Sequence, residues 1–91
     1  MQQNKPVTDV LLKHKEHQQV EQFAMTLEKI AQKLRQNGHF TFVQGDKQIQ
    51  VIPNEELKVT YEYTKKLDKH SFEIQFDWVE GEPKYGKMVI E

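Results

Sequence analysis

Two histidines and a glutamate near the amino end of the chain have the residue types of a metal site. His14 and His17 are three residues apart, and Glu16 lies between them. Imidazole nitrogens and carboxylate oxygens bind transition metals, but a site needs at least three converging ligands. His39 and His70 lie elsewhere in the sequence, and no spacing brings them to this segment. We therefore expect solvated histidines and no bound metal or cofactor.

Two pairs of acidic residues are the candidates for general acid–base chemistry. They are Glu55 with Glu56 and Glu80 with Glu82. Such chemistry requires a pocket that raises the pKa of one carboxyl group, whereas both pairs flank predicted turns, where water reaches them. The single serine, Ser71, has no Gly-x-Ser-x-Gly context, and the four glycines form no phosphate-binding loop. We predict that the protein is not an enzyme.

Four residues in the segment 65–70 suggest a third kind of chemistry. Lys65, Lys66, Lys69 and His70 could hold single-stranded nucleic acid by charge while neighbouring aromatic rings stack on its bases. The predicted strands direct those rings into the core, which makes a solubilising hairpin tip the main interpretation. Weak binding of single-stranded nucleic acid through these four residues is the alternative function.

Composition narrows the class of protein further. The 91 residues carry a formal net charge of −1 and no cysteine. Dedicated nucleic-acid binders usually have a basic excess, and a chain without cysteine has neither disulfides nor thiolate chemistry. The start of the chain is polar and lacks the apolar segment of a secretory signal, and no apolar run approaches the ~20 residues of a membrane span. We expect a small cytoplasmic protein with one modest core.

The elements that would position these residues begin with a helix. Apolar residues between positions 18 and 37 recur at steps of three and four, which predicts an amphipathic helix. They are Val20, Phe23, Ala24, Leu27, Ile30, Ala31 and Leu34. Gly38 follows, where a left-handed residue ends many helices. Before the helix, the alternating and charged segment 9–16 predicts a short edge strand.

Four further strands follow from alternation and turn chemistry. Gly45 and Asp46 suit the centre of a type II′ turn, which would place Phe42 opposite Ile49 and Phe40 opposite Val51. The later segments 57–64 and 71–78 alternate apolar and polar residues, which predicts two strands with one apolar face each.

The pairing of the last two strands has one costly rung. Placing Tyr63 opposite Phe72 pairs Lys58 with Asp77 but also sets Glu62 against Glu73. The sequence therefore predicts which side chains share a face of this hairpin (its parity), whereas the exact pairing of residues (its register) is not fixed.

We predict an α+β fold with the order β-α-β-β-β-β, in which the helix packs on one face of an antiparallel sheet of about five strands. Residues 1–8 would be a flexible leader, 9–80 a single domain and 81–91 a tail. Met88 and Ile90 alternate in that tail, which allows a short extra strand or a clasp.

These features resemble the amphi-Trp domain, a small bacterial and archaeal family named for an amphipathic last strand that ends in tryptophan. The likeness runs from about Val10 to Trp78. It comprises the charged segment 11–16 leading into the helix, the helix end 34–38 and the closing alternation 72–78. The leader and the tail depart from the family pattern. Whether they provide an added contact surface is left open. The resemblance implies the fold and supplies no catalytic residue.

A geometric mismatch favours a binding role. Five strands at ~4.8 Å spacing span roughly 24 Å, whereas one helix covers about 10 Å. An apolar strip would then stay exposed unless the sheet curls, the tail covers it or a second molecule does. We predict a non-catalytic interaction or structural module that contacts protein through this strip, most simply as a homodimer. Peptide addition to a sheet edge is a further option.

Four residues are the candidate protein contacts on that strip: Tyr61, Tyr63, Phe76 and Trp78. Trp78 has two candidate roles. As a core residue it would close one end of the sheet against the helix, and as a contact residue it would lie beyond the helix and anchor a partner.

Overall fold

The structure is a computed structural model that describes residues 7–81 and residue 90. Its elements are α1 (Val20–Asn37), β1 (Phe40–Gln44), β2 (Lys47–Val51), β3 (Lys58–Lys66) and β4 (Lys69–Asp77). The chain divides into two compact units, Met1–Val51 and Ile52–Glu91. The first unit contains α1 and the β1–β2 hairpin, and the second contains the β3–β4 hairpin. The predicted α+β class is confirmed.

Helix α1 begins two residues later than predicted and ends where predicted. Gln19 precedes it in an extended conformation, and its carbonyl accepts the first helical hydrogen bond, from the Phe23 N–H at 3.0 Å. Gly38 adopts a left-handed conformation with φ 74° and donates its N–H to the Leu34 carbonyl at 2.9 Å. Glycine reaches this conformation without a Cβ clash, which explains the sharp helix end. Within the first unit, α1 contacts β1.

The β1–β2 hairpin has the predicted register. Phe40 pairs with Val51 and Phe42 with Ile49. Gly45 has φ 60°, whereas Asp46 is not among the residues with positive φ, as a type II′ turn requires. The turn and the apolar pattern therefore specify the same pairing.

The β3–β4 hairpin also keeps the predicted pairing, including Tyr63 opposite Phe72 and Glu62 opposite Glu73. Its connection is shorter than the predicted loop over 65–70. The strands run to Lys66 and Lys69, and the turn between them has only two residues. A two-residue turn suits antiparallel strands because its twist matches theirs.

The expected sheet of about five strands is wrong in two respects. The described residues form four strands, arranged as two two-stranded ladders. The segment 9–16 forms no strand; instead, the Gln44 side-chain amide donates to the Lys13 carbonyl at 3.0 Å. A side chain thus takes a backbone carbonyl that a ladder would have used. Between the hairpins, Pro53 offers no N–H for a ladder and a bend follows it.

The domain boundaries predicted for the leader, the domain and the tail stay predictions. The structure describes only residues 7 and 8 of the leader. The short extra strand or clasp considered for the tail falls on residues that, except for Ile90, lie outside the described part of the chain.

The two hairpin turns provide a matched test of backbone strain. Both first turn residues have positive φ, 60° for Gly45 and 56° for Leu67. A Cβ added to Gly45 meets no atom within 4 Å, so only the backbone conformation opposes a side chain there. We expect Gly45→Ala to lower the free energy of unfolding by about 1 kcal/mol and Leu67→Gly to raise it by about 0.5–1 kcal/mol. Urea denaturation measures both, and changes of the same sign would contradict the assignment.

Candidate functional site

The candidate site is one face of the β3–β4 hairpin. Successive strand residues point to opposite faces, so odd positions of β3 and even positions of β4 share a face. Nine cross-strand pairs join the strands. We call this surface the aromatic face, and it comprises Val59, Tyr61, Tyr63, Phe72, Ile74 and Phe76. Polar residues occupy the opposite face.

An aromatic cluster lies at the tip end of this face. The Tyr63 hydroxyl hydrogen-bonds the His70 Nδ1, and the two rings are nearly parallel, with centroids 5.8 Å apart and an interplanar angle of 24°. The Phe72 ring is tilted by 42° against Tyr63 at 6.3 Å. The short turn is the reason for this arrangement, because it places His70 within β4 and opposite Lys65.

A second aromatic pair lies at the other end of the hairpin. Phe76 and Trp78 stack with their centroids 6.0 Å apart and an interplanar angle of 18°, and both are half-buried. The Asn54 side-chain amide donates to the Val79 carbonyl at 2.7 Å and ties the entry of β3 to the exit of β4. We call this region, with Glu56, the base of the hairpin.

The aromatic face is open to solvent, contrary to the expectation that its rings form core. Tyr61 and Tyr63 are 68% and 64% exposed, and Phe72 and Ile74 are 64% and 51% exposed. No described residue of the chain is fully buried. Trp78 is half-buried, and its two candidate roles stay predictions. Alternation decides which side a residue faces, but it cannot supply a covering layer.

Charge is distributed unevenly along the hairpin. Lys65, Lys66 and Lys69 make the tip basic, whereas Glu56 and Glu80 make the base acidic. On the polar face, Lys58 lies opposite Asp77 but Glu62 lies opposite Glu73 at the middle rung. Two carboxylates directly opposite each other favour contact with water, so the polar face is the poorer docking surface.

The histidine cluster considered for metal binding is a hydrogen-bond network in the structure. The Gln44 amide donates to the His14 Nδ1 at 3.0 Å, and His14 Nε2 lies 2.8 Å from a Glu16 carboxylate oxygen. Both ring nitrogens of His14 thus have partners, and the neutral tautomer with the proton on Nε2 satisfies both. In the described part of the chain, no three metal-ligating side chains converge.

The acidic pairs considered for catalysis lie where the sequence suggested. Glu55 and Glu56 occupy the bend before β3 and are exposed. Glu80 is exposed in a turn after β4, and Glu82 lies outside the described residues.

The helix and the two antiparallel hairpins define a small α+β protein whose last amphipathic strand runs into a tryptophan. A family model for the Amphi-Trp domain matches residues 5–91. The chain therefore belongs to the Amphi-Trp domain family, which confirms the resemblance seen in the sequence. The match is longer than the predicted likeness and includes the tail and part of the leader, which were expected to depart from the family pattern. No curated protein and no solved structure matches the chain. Among the described residues, no helix combines the length and hydropathy of a membrane span.

Sequence reasoning did not name Phe72 and Ile74 as contact candidates, although both are exposed on the aromatic face. It assigned His70 to a basic loop, whereas the structure places His70 in β4 beside Tyr63. The alternation contained the signal, because His70 lies two positions before Phe72 in the same strand. A prediction of the two-residue turn, in place of a loop over 65–70, would have placed His70 on this face.

The network around His14 predicts a measurable shift in the pKa of Glu16. Hydrogen bonds from His14 and then from Gln18 hold the pKa of the Glu16 carboxyl below its ordinary value of 4.5. The associated stabilisation is present above that value and is lost as the pH falls through the lower pKa of the folded protein. We expect His14→Ala to raise the pKa of Glu16 toward 4.5, as followed by carboxyl NMR. His17→Ala is the control, and an unchanged Glu16 titration in His14→Ala would contradict the network.

Proposed function

We propose that this Amphi-Trp protein is a non-catalytic interaction module whose aromatic face docks on a second copy of the same chain. The observation that carries the proposal is the exposure of Tyr61, Tyr63, Phe72 and Ile74 on one face of a two-stranded ladder. An isolated hairpin is marginally stable in water, and a covered apolar face stabilises it. A partner that covers this face therefore contributes to folding as well as to binding.

The charge distribution favours a second copy as the partner. The middle of the nine pairs is the rung of Glu62 and Glu73. A two-fold axis at this rung, with the aromatic faces in contact, lays the basic tip of each hairpin over the acidic base of the other. Opposite charges then meet at both ends of the contact, and the paired carboxylates remain on the outer, polar faces. A single surface is thus complementary to itself.

The size of the face sets the expected affinity. A strand of nine residues at ~3.4 Å per residue is roughly 30 Å long, and two strands are about 10 Å wide. The area is well below the ~800 Å² per partner of stable complexes, which places the contact in the weak class. We therefore expect a dissociation constant between about 1 µM and 1 mM.

The same exposure supports a second candidate function, the binding of single-stranded nucleic acid. The rings of Tyr63 and Phe72 are open to solvent and lie next to Lys65 and His70. Basic side chains beside exposed rings are the elements of a stacking platform. A shift of labelled single-stranded RNA that weakens with salt would favour this function, and no shift at low salt would remove it.

We also propose that the protein is located in the cytoplasm. A protein of this composition, with the described helix too polar for a membrane span, suits the cytoplasm as a freely diffusing module.

Dimerisation through the aromatic face predicts a face-specific mutational effect. We expect light scattering from about 10 µM to 1 mM to show a concentration-dependent rise in mass. Ile74→Thr should raise the dimer dissociation constant by about tenfold or more, because each dimer loses two apolar contacts. Gln75→Thr, at the next position and on the polar face, is the matched control and should dimerise as the wild type does. A monomeric wild type at every concentration, or equal effects of the two variants, would contradict the proposal.

The antiparallel arrangement predicts rescue by charge exchange. Lys65 is the tip lysine on the aromatic face. A tip variant with Lys65→Glu and a base variant with Glu80→Lys should each dimerise more weakly, since each sets like charges together. Their mixture should dimerise as well as the wild type, because both contacts of the mixed dimer join opposite charges. Sedimentation velocity measures the three samples. A mixture no stronger than either variant would exclude this arrangement.

A further inference from the structure

A cavity of about 810 Å³ opens between α1 and the β1–β2 hairpin within the first unit. Five helix residues form one of its walls, at steps of three and four along a single helix face. They are Thr26, Lys29, Ile30, Lys33 and Asn37. Only Ile30 among them belongs to the apolar stripe of the helix. The cavity therefore lies at the border between the apolar and the polar side of α1.

The opposite wall of the cavity is mostly apolar, apart from His39 and Thr41. Phe40 and Phe42 on β1 and Val51 on β2 line it, and all three are half-buried. The pairing of Phe40 with Val51 brings these side chains to one face. Together with Ile30 they form a surface that favours a hydrocarbon chain over water.

The charged groups of the cavity all have one sign. Lys29 and Lys33 line it one helical turn apart, and no aspartate or glutamate is among the lining residues. The chain as a whole is slightly acidic, so this one-sided lining is a local feature. Of the two lysines, Lys33 is half-buried and Lys29 is exposed.

We propose that this cavity binds a single-chain amphiphile with an anionic head group. The hydrocarbon chain lies along Ile30, Phe40 and Phe42, and Lys29 and Lys33 bind the head group. The volume falls within the ~300–1,000 Å³ range of small-molecule sites, which combine apolar walls with a few polar groups. Thr26 and Asn37 are eleven positions apart along the helix, a span of roughly 16 Å, which is enough for a medium-length hydrocarbon chain.

The site is independent of the proposed dimer. Its lining residues all lie in the first unit, whereas the aromatic face belongs to the second. Loss of ligand binding would therefore leave the proposed dimer intact, and loss of the dimer would leave ligand binding intact. The two proposals are distinguished by residues that they do not share.

Calorimetry on the unmodified chain tests the head-group requirement without any substitution. Dodecanoate and dodecyl phosphate, each below its micelle-forming concentration, are compared with dodecanol and dodecylamine. We expect at least one of the two anions to bind about tenfold tighter than both the alcohol and the amine. The tighter anion assigns the head group as carboxylate or phosphate. Equal binding of dodecanol, tighter binding of dodecylamine or binding of none of the four probes would overturn the proposal.

A pair of charge variants locates the head group. Lys29→Gln combined with Lys33→Gln should weaken binding of the preferred anion about tenfold and leave dodecanol unaffected. Lys15→Gln combined with Lys58→Gln changes the net charge equally at two lysines that do not line the cavity, and should bind as the wild type does. Backbone NMR should place ligand-induced shifts in α1 and β1. Equal losses in the two double variants, or shifts confined to β3 and β4, would overturn the proposal.

Discussion

The pairing of β3 with β4 is the constraint on which the candidate site depends. Each strand alternates its side chains, but the turn decides which residues of the two strands meet. A turn of two residues brings Lys66 opposite Lys69, and every later pair follows from that step. A shift by one residue would move Phe72 and Ile74 to the polar face and place Glu73 among aromatic rings. The aromatic face exists because this register excludes that alternative.

The same turn combines a local strain with the arrangement of the aromatic cluster. Leu67 has a positive φ, a conformation that leucine adopts at a cost. The tight turn keeps His70 within the ladder, where its ring stacks on Tyr63. A longer and more relaxed loop would leave His70 outside the strand. The strained residue and the aromatic cluster are thus two consequences of one connection.

The two proposed sites use different physical principles. The aromatic face of the β3–β4 hairpin is open and has opposite charge at its two ends, which suits a broad contact with a complementary surface. The cavity beside α1 is concave, with apolar walls and two lysines of like charge, which suits a small amphiphile. The first depends on area and symmetry, and the second depends on enclosure and on one charged group.

Local pattern and turn chemistry determined much of this protein. The helix from its first turn to Gly38, the pairing of Phe42 with Ile49 and the parity of β3 and β4 all follow from interactions between residues close in sequence or joined by a tight turn. The family assignment follows from the same elements.

Tertiary structure decided what each face meets. The segment 9–16 has the alternation of a strand, yet Gln44 holds it by side-chain hydrogen bonds, a contact between distant residues that alternation does not encode. The exposure of Tyr61 and Ile74 likewise depends on whether another layer covers them. Periodicity describes one element at a time, whereas burial and cavities arise between elements.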